Sequence, residues 1–399
     1  MYRRVSAVDV FLWGRHVGRI AADFGSYCQF QYDPEFVRSG IQISPIMLPL
    51  REEIYHSREF ELPSGAFMGL PGVFADSLPD SFGNRLVEEW LDTQGIPRKS
   101  ITPLDRLVYV GSRGMGALTY EPDCGPRHAD PTALDMRMLA EEAQLALNAD
   151  LSKMKGEDAL REIIRVGTSA GGAQAKAVVG WNSETGAFLS GTGELPEGFG
   201  HWLVKFSPDG LPDAGRREYE VHLKARKAGI EMGECRLLEI GGETHFMTRR
   251  FDRDGSVRHH LQTLCALQHL PHGGPASLYS YDVLFDTADA LGLGYKTLEE
   301  IFRRMAFNVY NRETDDHTKN FSFMMRESGA WELAPAYDLT GIHFSVGDAA
   351  FDEWQNRHAL SVNGKFSSIT DGDILAVGER YGLGTANRIL AEVKAAFGQ

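Results

Sequence analysis

Residues 306–324 read AFNVYNRETDDHTKNFSFM, and the order of residues in this stretch sets the reading of the whole chain. Apolar and aromatic runs flank a polar centre that holds Asp315, Asp316, His317, Lys319 and Asn320. A surface loop accounts for part of that polarity, but charges set between aromatic-rich runs suit the edge of a pocket better. Downstream, SFMMRESGAWEL (322–333) alternates in the manner of two strands turning around Glu327–Gly329, and LAPAYDLTG (333–341) then presents Asp338. Upstream, the chemistry-bearing residues come in a fixed order. GTSAGGAQAKAVVGW (167–181) is a glycine-rich loop running into a strand, and HWLVKFSP (201–208) is a short apolar strand carrying Lys205. RREYEVHLKARKAGI (216–230) is a helix with Glu218 and Glu220 near its start and Gly229 at its end.

That order is what a nucleoside triphosphate requires. Glycines let backbone N–H groups approach phosphate oxygens closely. A lysine pairs with phosphates and a glutamate holds that lysine in place. Oxygen ligands hold magnesium, and a carboxylate orients or deprotonates the attacking hydroxyl. Asp315 and Asn320 are five residues apart, the separation of the base aspartate and the metal-binding asparagine in a protein-kinase catalytic loop. The glycine loop is not a Walker A loop: Gly167 and Gly172 have the right separation, but Ala173 stands where the lysine belongs. Each part has a plainer reading on its own. The loop at Gly167, Gly171 and Gly172 is also a hairpin turn, and Ser169 a turn serine. Lys176 and Lys205 also suit strand lysines facing water, Glu218 a helix N-terminal charge, and His317 a packed loop residue. Arg250 and Asp252 in RRFDR (249–253) suit a structural ion pair.

The rest of the chain is read more coarsely. VSAVDVFLWG and HVGRIA form two short strands around Gly14, and YCQFQYDPEF (27–36) is a strand followed by a turn. NRLVEEWLDTQG (84–95) is an amphipathic helix stopped by glycine. The expected divisions are 1–125, an N-terminal mixed subdomain; 126–255, a nucleotide-binding region; and 256–399, a mainly helical catalytic lobe. The 399 residues carry 55 acidic and 41 basic side chains, a formal charge of −14. That balance argues against a broad DNA-binding surface. The four cysteines are far apart with no CxxC pair, against a zinc ribbon or disulfide framework and in favour of a reducing compartment. No signal peptide and no apolar run long enough to span a membrane is found in the sequence, so the expected location is the cytoplasm, with no membrane partner. Glycine makes up 43 residues, about 11% against ~7% usually; only the cluster at 167–172 has a direct claim on phosphates.

At this point the residues resemble a known family, the HipA-like serine/threonine kinases, whose best-known members are toxins of toxin–antitoxin systems. TDDHTKNFSF followed by LAPAYDLT carries the resemblance most specifically, with GTSAGGAQAK, HWLVKFSP, REYEVHLKARKAGI and RRFDR in the expected order. VFLWGRHVGRIA, FQYDPEF, ISPIMLPL and VFADSLPDSFG resemble the family's N-terminal subdomain. The resemblance implies an α+β, two-lobed, protein-kinase-like fold. It implies ATP and Mg²⁺ as cofactors, Asp315 as catalytic aspartate, Asn320 and Asp338 as magnesium ligands, and Lys205 on the ATP phosphates. Glu218 is the lysine-holding glutamate, with Glu220 in reserve; His317 and Lys319 complete the catalytic loop. Gly167, Ser169, Gly171, Gly172, Ala173, Gln174 and Lys176 form the nucleotide loop, and Ser169 is the loop serine that family members autophosphorylate. The phosphate loop departs from the family pattern in its GG pair, where a plain AGAQ-like run is more usual.

The resemblance further implies a protein substrate of the translation apparatus, such as an aminoacyl-tRNA synthetase, a growth-inhibiting role, and a helix-turn-helix antitoxin of HipB type. The chain begins almost directly on the N-terminal subdomain, so the expectation is that this antitoxin is a separate chain and that DNA is reached only through it. Two other readings stay open on the residues alone. One is a metal-dependent phosphohydrolase or nuclease with Asp315, Asp316 and His317 as ligands. The other is a catalytically silent module that bridges an antitoxin and DNA.

Overall fold

The first hairpin shows how closely local sequence sets local structure. β1 (Ala7–Leu12) and β2 (Arg15–Ala22) pair antiparallel around Trp13 and Gly14, both at positive φ (51° and 76°). Two central residues in that region give the turn whose twist matches that of the strands, and glycine adopts it without strain. β1 alternates half-buried and buried residues, with Val8, Val10 and Leu12 fully covered. In this computed structural model the described residues are 4–23, 27–60, 66–79, 81–126, 132–147, 174–191, 193–271, 275–341 and 356–398. Among them the chain divides into two compact units, both discontinuous in sequence.

The first unit takes residues 1–44, 48–216 and 234–261. Its first sheet adds β3 (Cys28–Tyr32), β4 (Tyr55–His56) and β5 (Leu118–Glu121), in the order β4-β3-β2-β1-β5. The sequence reading of a turn after the strand in YCQFQYDPEF needs correction. Asp33 caps a short helix, α1 (Pro34–Ser39), by accepting from the Glu35 N–H, and Pro34 sits at its first position. Asp-Pro opens turns and helices alike, and here the following residues continue into a helix. α2 (Ser81–Thr93), α3 (Pro103–Val110, with a capping box from Thr102 and Asp105) and α4 (Met136–Leu147) follow.

The second sheet of this unit contains β6 (Lys176–Trp181), β7 (Phe188–Ser190), β8 (Gly200–Lys205), β9 (Cys235–Ile240) and β10 (Glu243–Arg249), in the order β7-β6-β8-β10-β9. Its core joins Phe82, Leu86 and Leu91 of α2 and Leu139 and Ala143 of α4 to Val179, Val204 and Phe206. Beyond β10, Arg250 and Asp252 form the two-pronged ion pair expected from RRFDR, at 2.9 and 2.7 Å and fully buried. Asp252 also accepts from Arg253 and from the Gly116 N–H at 2.8 Å. Arg253 and Arg258 donate to the carbonyls of Gly114 and Gly116, and Arg258 also to that of Ser112. The glycines of 111–116 therefore serve a structural knot. β11 (Arg253–Asp254) and β12 (Val257–Arg258) form a small ribbon there.

The second unit takes residues 45–47, 217–233 and 262–399. α5 (Ala214–Lys227) belongs to it from Arg217 onward, and is joined by α6 (Tyr281–Ala290), α7 (Tyr295–Asn311), α8 (Asp371–Arg380) and α9 (Ala386–Ala396). One apolar core runs through them, with Phe285, Phe302, Met305, Phe307, Ile374, Val377, Ile389 and Val393 fully buried. Burying such a side chain contributes about 1.5–3 kcal/mol. α8 comes close to its neighbours because residue 378 is glycine: a Cβ there would lie 2.7 Å from Ala386 Cβ and 2.8 Å from Phe302 Cε2. β13 (His260–Thr263), β14 (Ser322–Met325) and β15 (Trp331–Leu333) form a three-stranded sheet, and the β14–β15 hairpin is the one expected around Glu327–Gly329.

Candidate active site

α7 ends where the polar stretch begins. Arg312 takes the left-handed conformation (φ 52°), and Glu313 N–H closes back on the Asn308 carbonyl at 2.8 Å. The chain then runs as a loop to a single turn at Thr318–Asn320 and enters β14. Within that loop the two adjacent aspartates part company. The Asp315 side chain is 42% exposed and that of Asp316 is fully buried. The Asp315 carbonyl accepts from the His317 N–H at 2.8 Å and from Asn320 Nδ2 at 2.7 Å. That second bond orients the Asn320 amide and leaves its Oδ1 as the atom available to a cation. His317 Nε2 lies 3.7 Å from Asp315 Oδ1, and Lys319 is exposed.

Asn320 and Asp338 line one small cleft, together with Arg304, Glu313, Asp316 and Tyr337. Asp338 holds a positive φ of 57°, a backbone state rare outside glycine, asparagine and aspartate. Tyr337 ties the two walls: its hydroxyl meets Ser322 Oγ and donates to the Lys319 carbonyl, both at 2.6 Å. The oxygens of Asn320 and Asp338 suit a hard cation. No group of three His, Cys, Asp or Glu side chains that would enclose a metal is present among the described residues. Magnesium fits that donor set, since one or two protein oxygens, substrate phosphates and waters normally complete its shell.

Glu313 was given no role from sequence, and Asp316 only that of a metal ligand in the phosphohydrolase reading; the structure shows how both are held. Asp316 Oδ2 accepts from the Tyr281 hydroxyl at 2.7 Å and from His358 Nδ1 at 2.8 Å; Oδ1 accepts from the Ala359 N–H at 2.7 Å. Burial, and Asp316 beside it, push the Tyr281 hydroxyl well above the usual phenol range, so it stays a donor. Asn308 Nδ2 in turn donates to that hydroxyl at 2.9 Å. With its oxygens so occupied, Asp316 cannot join Asp315 and His317 in a three-ligand metal site, which removes the basis of the phosphohydrolase reading.

In the first unit, Lys205 ends β8, the middle strand of its sheet, at 5% exposure, and Lys176 begins β6 at 3%. Neither is a lysine facing water. The two are direct partners in the β6–β8 register, where like charges oppose each other at a cost. Phe246 is the partner of Lys205 on the other side, with the ammonium 5.8 Å from its ring centre. Gln174 Nε2 donates to the Phe206 carbonyl at 2.9 Å, fastening the approach to β6 against the end of β8. Glu218 is 6% exposed on α5. Gly167, Ser169, Gly171, Gly172 and Ala173 lie outside the described residues.

Comparison with known proteins shows the family. Residues 168–399 match the HipA-like C-terminal domain and residues 8–121 the HipA N-terminal domain. The chain belongs to the HipA-like family. A putative kinase of Haemophilus influenzae is 24% identical over 211 residues; the match takes in 46% of this chain and spans about 60% of that relative's length. Among solved structures, HipA of Shewanella oneidensis MR-1, determined in a complex with HipB and operator DNA, superposes with a TM-score of 0.65 at 16% identity, over 98% of this chain and 91% of that one. The mixed α+β fold expected from sequence is thus a HipA-like fold. The proinflammatory kinase CtkA of Helicobacter pylori matches over 49% of this chain and 87% of its own, at 14% identity and a TM-score of 0.32. No helix among the described residues is long and apolar enough to cross a membrane.

Proposed function

We propose that this chain is an ATP- and Mg²⁺-dependent kinase of HipA type that phosphorylates a serine or threonine hydroxyl of another protein. The observation that carries the reading is the cleft where Asn320 and Asp338 meet, beside an exposed Asp315 whose carbonyl holds the Asn320 amide. Asp315 orients the substrate hydroxyl and accepts its proton as the oxygen bonds to the γ-phosphorus; the bond to the β-phosphate oxygen breaks and ADP leaves. On this reading Lys205 and Lys176 serve the phosphates, Glu218 takes the family role of the lysine-holding glutamate, and residues 167–174 supply the nucleotide loop. His317 and Lys319 shape the loop around the base. Asn320 Oδ1 and Asp338 would hold magnesium, which would neutralise charge on the phosphates. Transfer of this kind rests on positioning and charge stabilisation.

The finer readings follow the family. They are autophosphorylation at Ser169, a cytoplasmic growth-inhibiting role, a substrate such as an aminoacyl-tRNA synthetase, and a separate HipB-type antitoxin through which DNA is reached. The Shewanella complex supports the last of these, as does the net charge of −14, which disfavours direct DNA contact.

The test is incubation with labelled ATP–Mg²⁺ and a cell extract, comparing the wild type with Asp315→Ala. Removing the base should lower transfer by at least about 10²-fold and leave ATP binding within error. Mass spectrometry of labelled species reports the target and Ser169 together. Transfer by Asp315→Ala at the wild-type rate sinks the assignment.

A further inference from the structure

Two buried carboxylates flank Asp315, and the proposed chemistry uses neither. Glu313 and Asp316 are each 1% exposed. An ionised carboxylate taken out of water costs several kcal/mol unless donors replace the water, and here backbone N–H groups do so. Glu313 Oε2 accepts from the N–H groups of Thr340 and Gly341, both at 2.6 Å. Asp316 Oδ1 accepts from Ala359 at 2.7 Å and more weakly from Leu360 at 3.4 Å. The donors come from two places: directly after Asp338, and some twenty residues further along the chain. The second place is also tied to the start of α6, where Ser361 N–H donates to the Tyr279 carbonyl and Tyr281 N–H to the Ser361 carbonyl, each at 3.0 Å. Tyr281 then closes the circuit through its hydroxyl on Asp316.

We propose that Glu313 and Asp316 are positioning residues that fasten the Asp315 loop, on one side to the chain carrying Asp338 and on the other to residues 359–360, so that base and metal carboxylate keep one fixed spacing. The catalytic consequence rests on the kinase reading above; the mechanical one does not. Only Thr314 separates Glu313 from Asp315, and Asp316 follows it directly, so the backbone of the base is pinned on both sides. Loosening either anchor shifts Asp315 relative to Asp338 without touching the nucleotide-binding lysines of β6 and β8. In a reaction governed by placement, a displacement of about 1 Å costs on the order of 10²-fold in rate.

The variants are Glu313→Ala, Glu313→Gln and Asp316→Asn. Glu313→Gln keeps an oxygen able to accept from Thr340 and Gly341 and serves as the rescue. Two measurements are made on the full chain: amide hydrogen exchange over 314–320 and 338–341, and single-turnover phosphoryl transfer with the ATP dependence determined separately. Glu313→Ala should speed exchange in both segments and lower kcat about 10- to 100-fold with KM for ATP unchanged. Glu313→Gln should restore both to within about threefold. Asp316→Asn should speed exchange over 314–320. Unchanged exchange over 314–320 in Glu313→Ala overturns the proposal, and so does full transfer activity in a variant whose exchange has risen. Loss of kcat in Glu313→Ala that Glu313→Gln does not recover also overturns it, since charge and not anchoring is then at work. Accelerated exchange in an otherwise folded variant, with a wild type that transfers no phosphate, supports the fastening and removes the kinase reading instead.

Discussion

At the residue scale the site is a division of labour between neighbours. Asp315 and Asp316 are joined by one peptide bond, yet one faces solvent and the other is enclosed by a tyrosine, a histidine and a backbone N–H. Asn320 has two ends to one amide: Nδ2 locks onto the Asp315 carbonyl, and Oδ1 is the atom proposed for Mg²⁺. Asn320→Ala loses both and should raise the Mg²⁺ concentration needed for half-maximal transfer while cutting the maximum; an Mg²⁺ titration with saturating ATP checks it. Asp338→Asn keeps the side-chain shape and removes only charge, so it should shift the Mg²⁺ requirement with little change in thermal stability. The spacing of Asp315 and Asn320 was legible in the sequence because a single short loop carries both. The anchors were not. Tyr281 and His358 stand 35 and 42 residues from Asp316, and nothing local in a sequence says that a carboxylate will be filled from so far away.

At the scale of elements, the informative finding is that β8 is the central strand of its sheet and that its lysine faces a second lysine across the ladder. On the proposed reading both lysines serve the ATP phosphates. Lys205→Met and Lys176→Met should each reduce the ATP-induced rise in melting temperature, and Lys205→Met should weaken ATP binding; calorimetric titration and thermal shift measure the two effects. The strand and its lysine were readable from HWLVKFSP, but their place in the strand order was not, since order depends on pairings that no stretch of sequence contains. Helices were read well where apolar periodicity was long, as in 216–227, and poorly at α1, where Asp-Pro serves a turn or a cap equally. The contact at Gly378 belongs to the same scale. Gly378→Val forces branched atoms against Phe302 and Ala386 and should cost about 1–3 kcal/mol by overpacking, seen as a lowered denaturant midpoint with an unchanged slope.

For the molecule as a whole, acid is the weak direction. Burial pulls the imidazoles of His245 and His260 down to about 4, against about 6.5 in an unfolded chain. His245 Nδ1 accepts from the Ser207 N–H at 2.9 Å, and His260 bonds the Ile43 carbonyl at 2.8 Å. Between those pH values the unfolded chain binds more protons than the folded one, so stability must fall as pH drops from 6.5 towards 4. Each pKa unit is worth about 1.4 kcal/mol. A melting-temperature series over that window should decline steadily. His260→Gln, which keeps a donor for Ile43, should flatten the slope; an unchanged slope would rule His260 out as a cause.

The knot of Asp252, Arg253 and Arg258 around residues 112–116 bears on how the chain is made. The carbonyls of Ser112, Gly114 and Gly116 and the Gly116 N–H find these partners 136 to 146 residues later. During synthesis, the early strands leave the ribosome at about 5–20 residues per second, well before those partners exist. The first unit is therefore assembled after a wait of several seconds or more, with its glycine-rich corner held by water until residue 258 emerges.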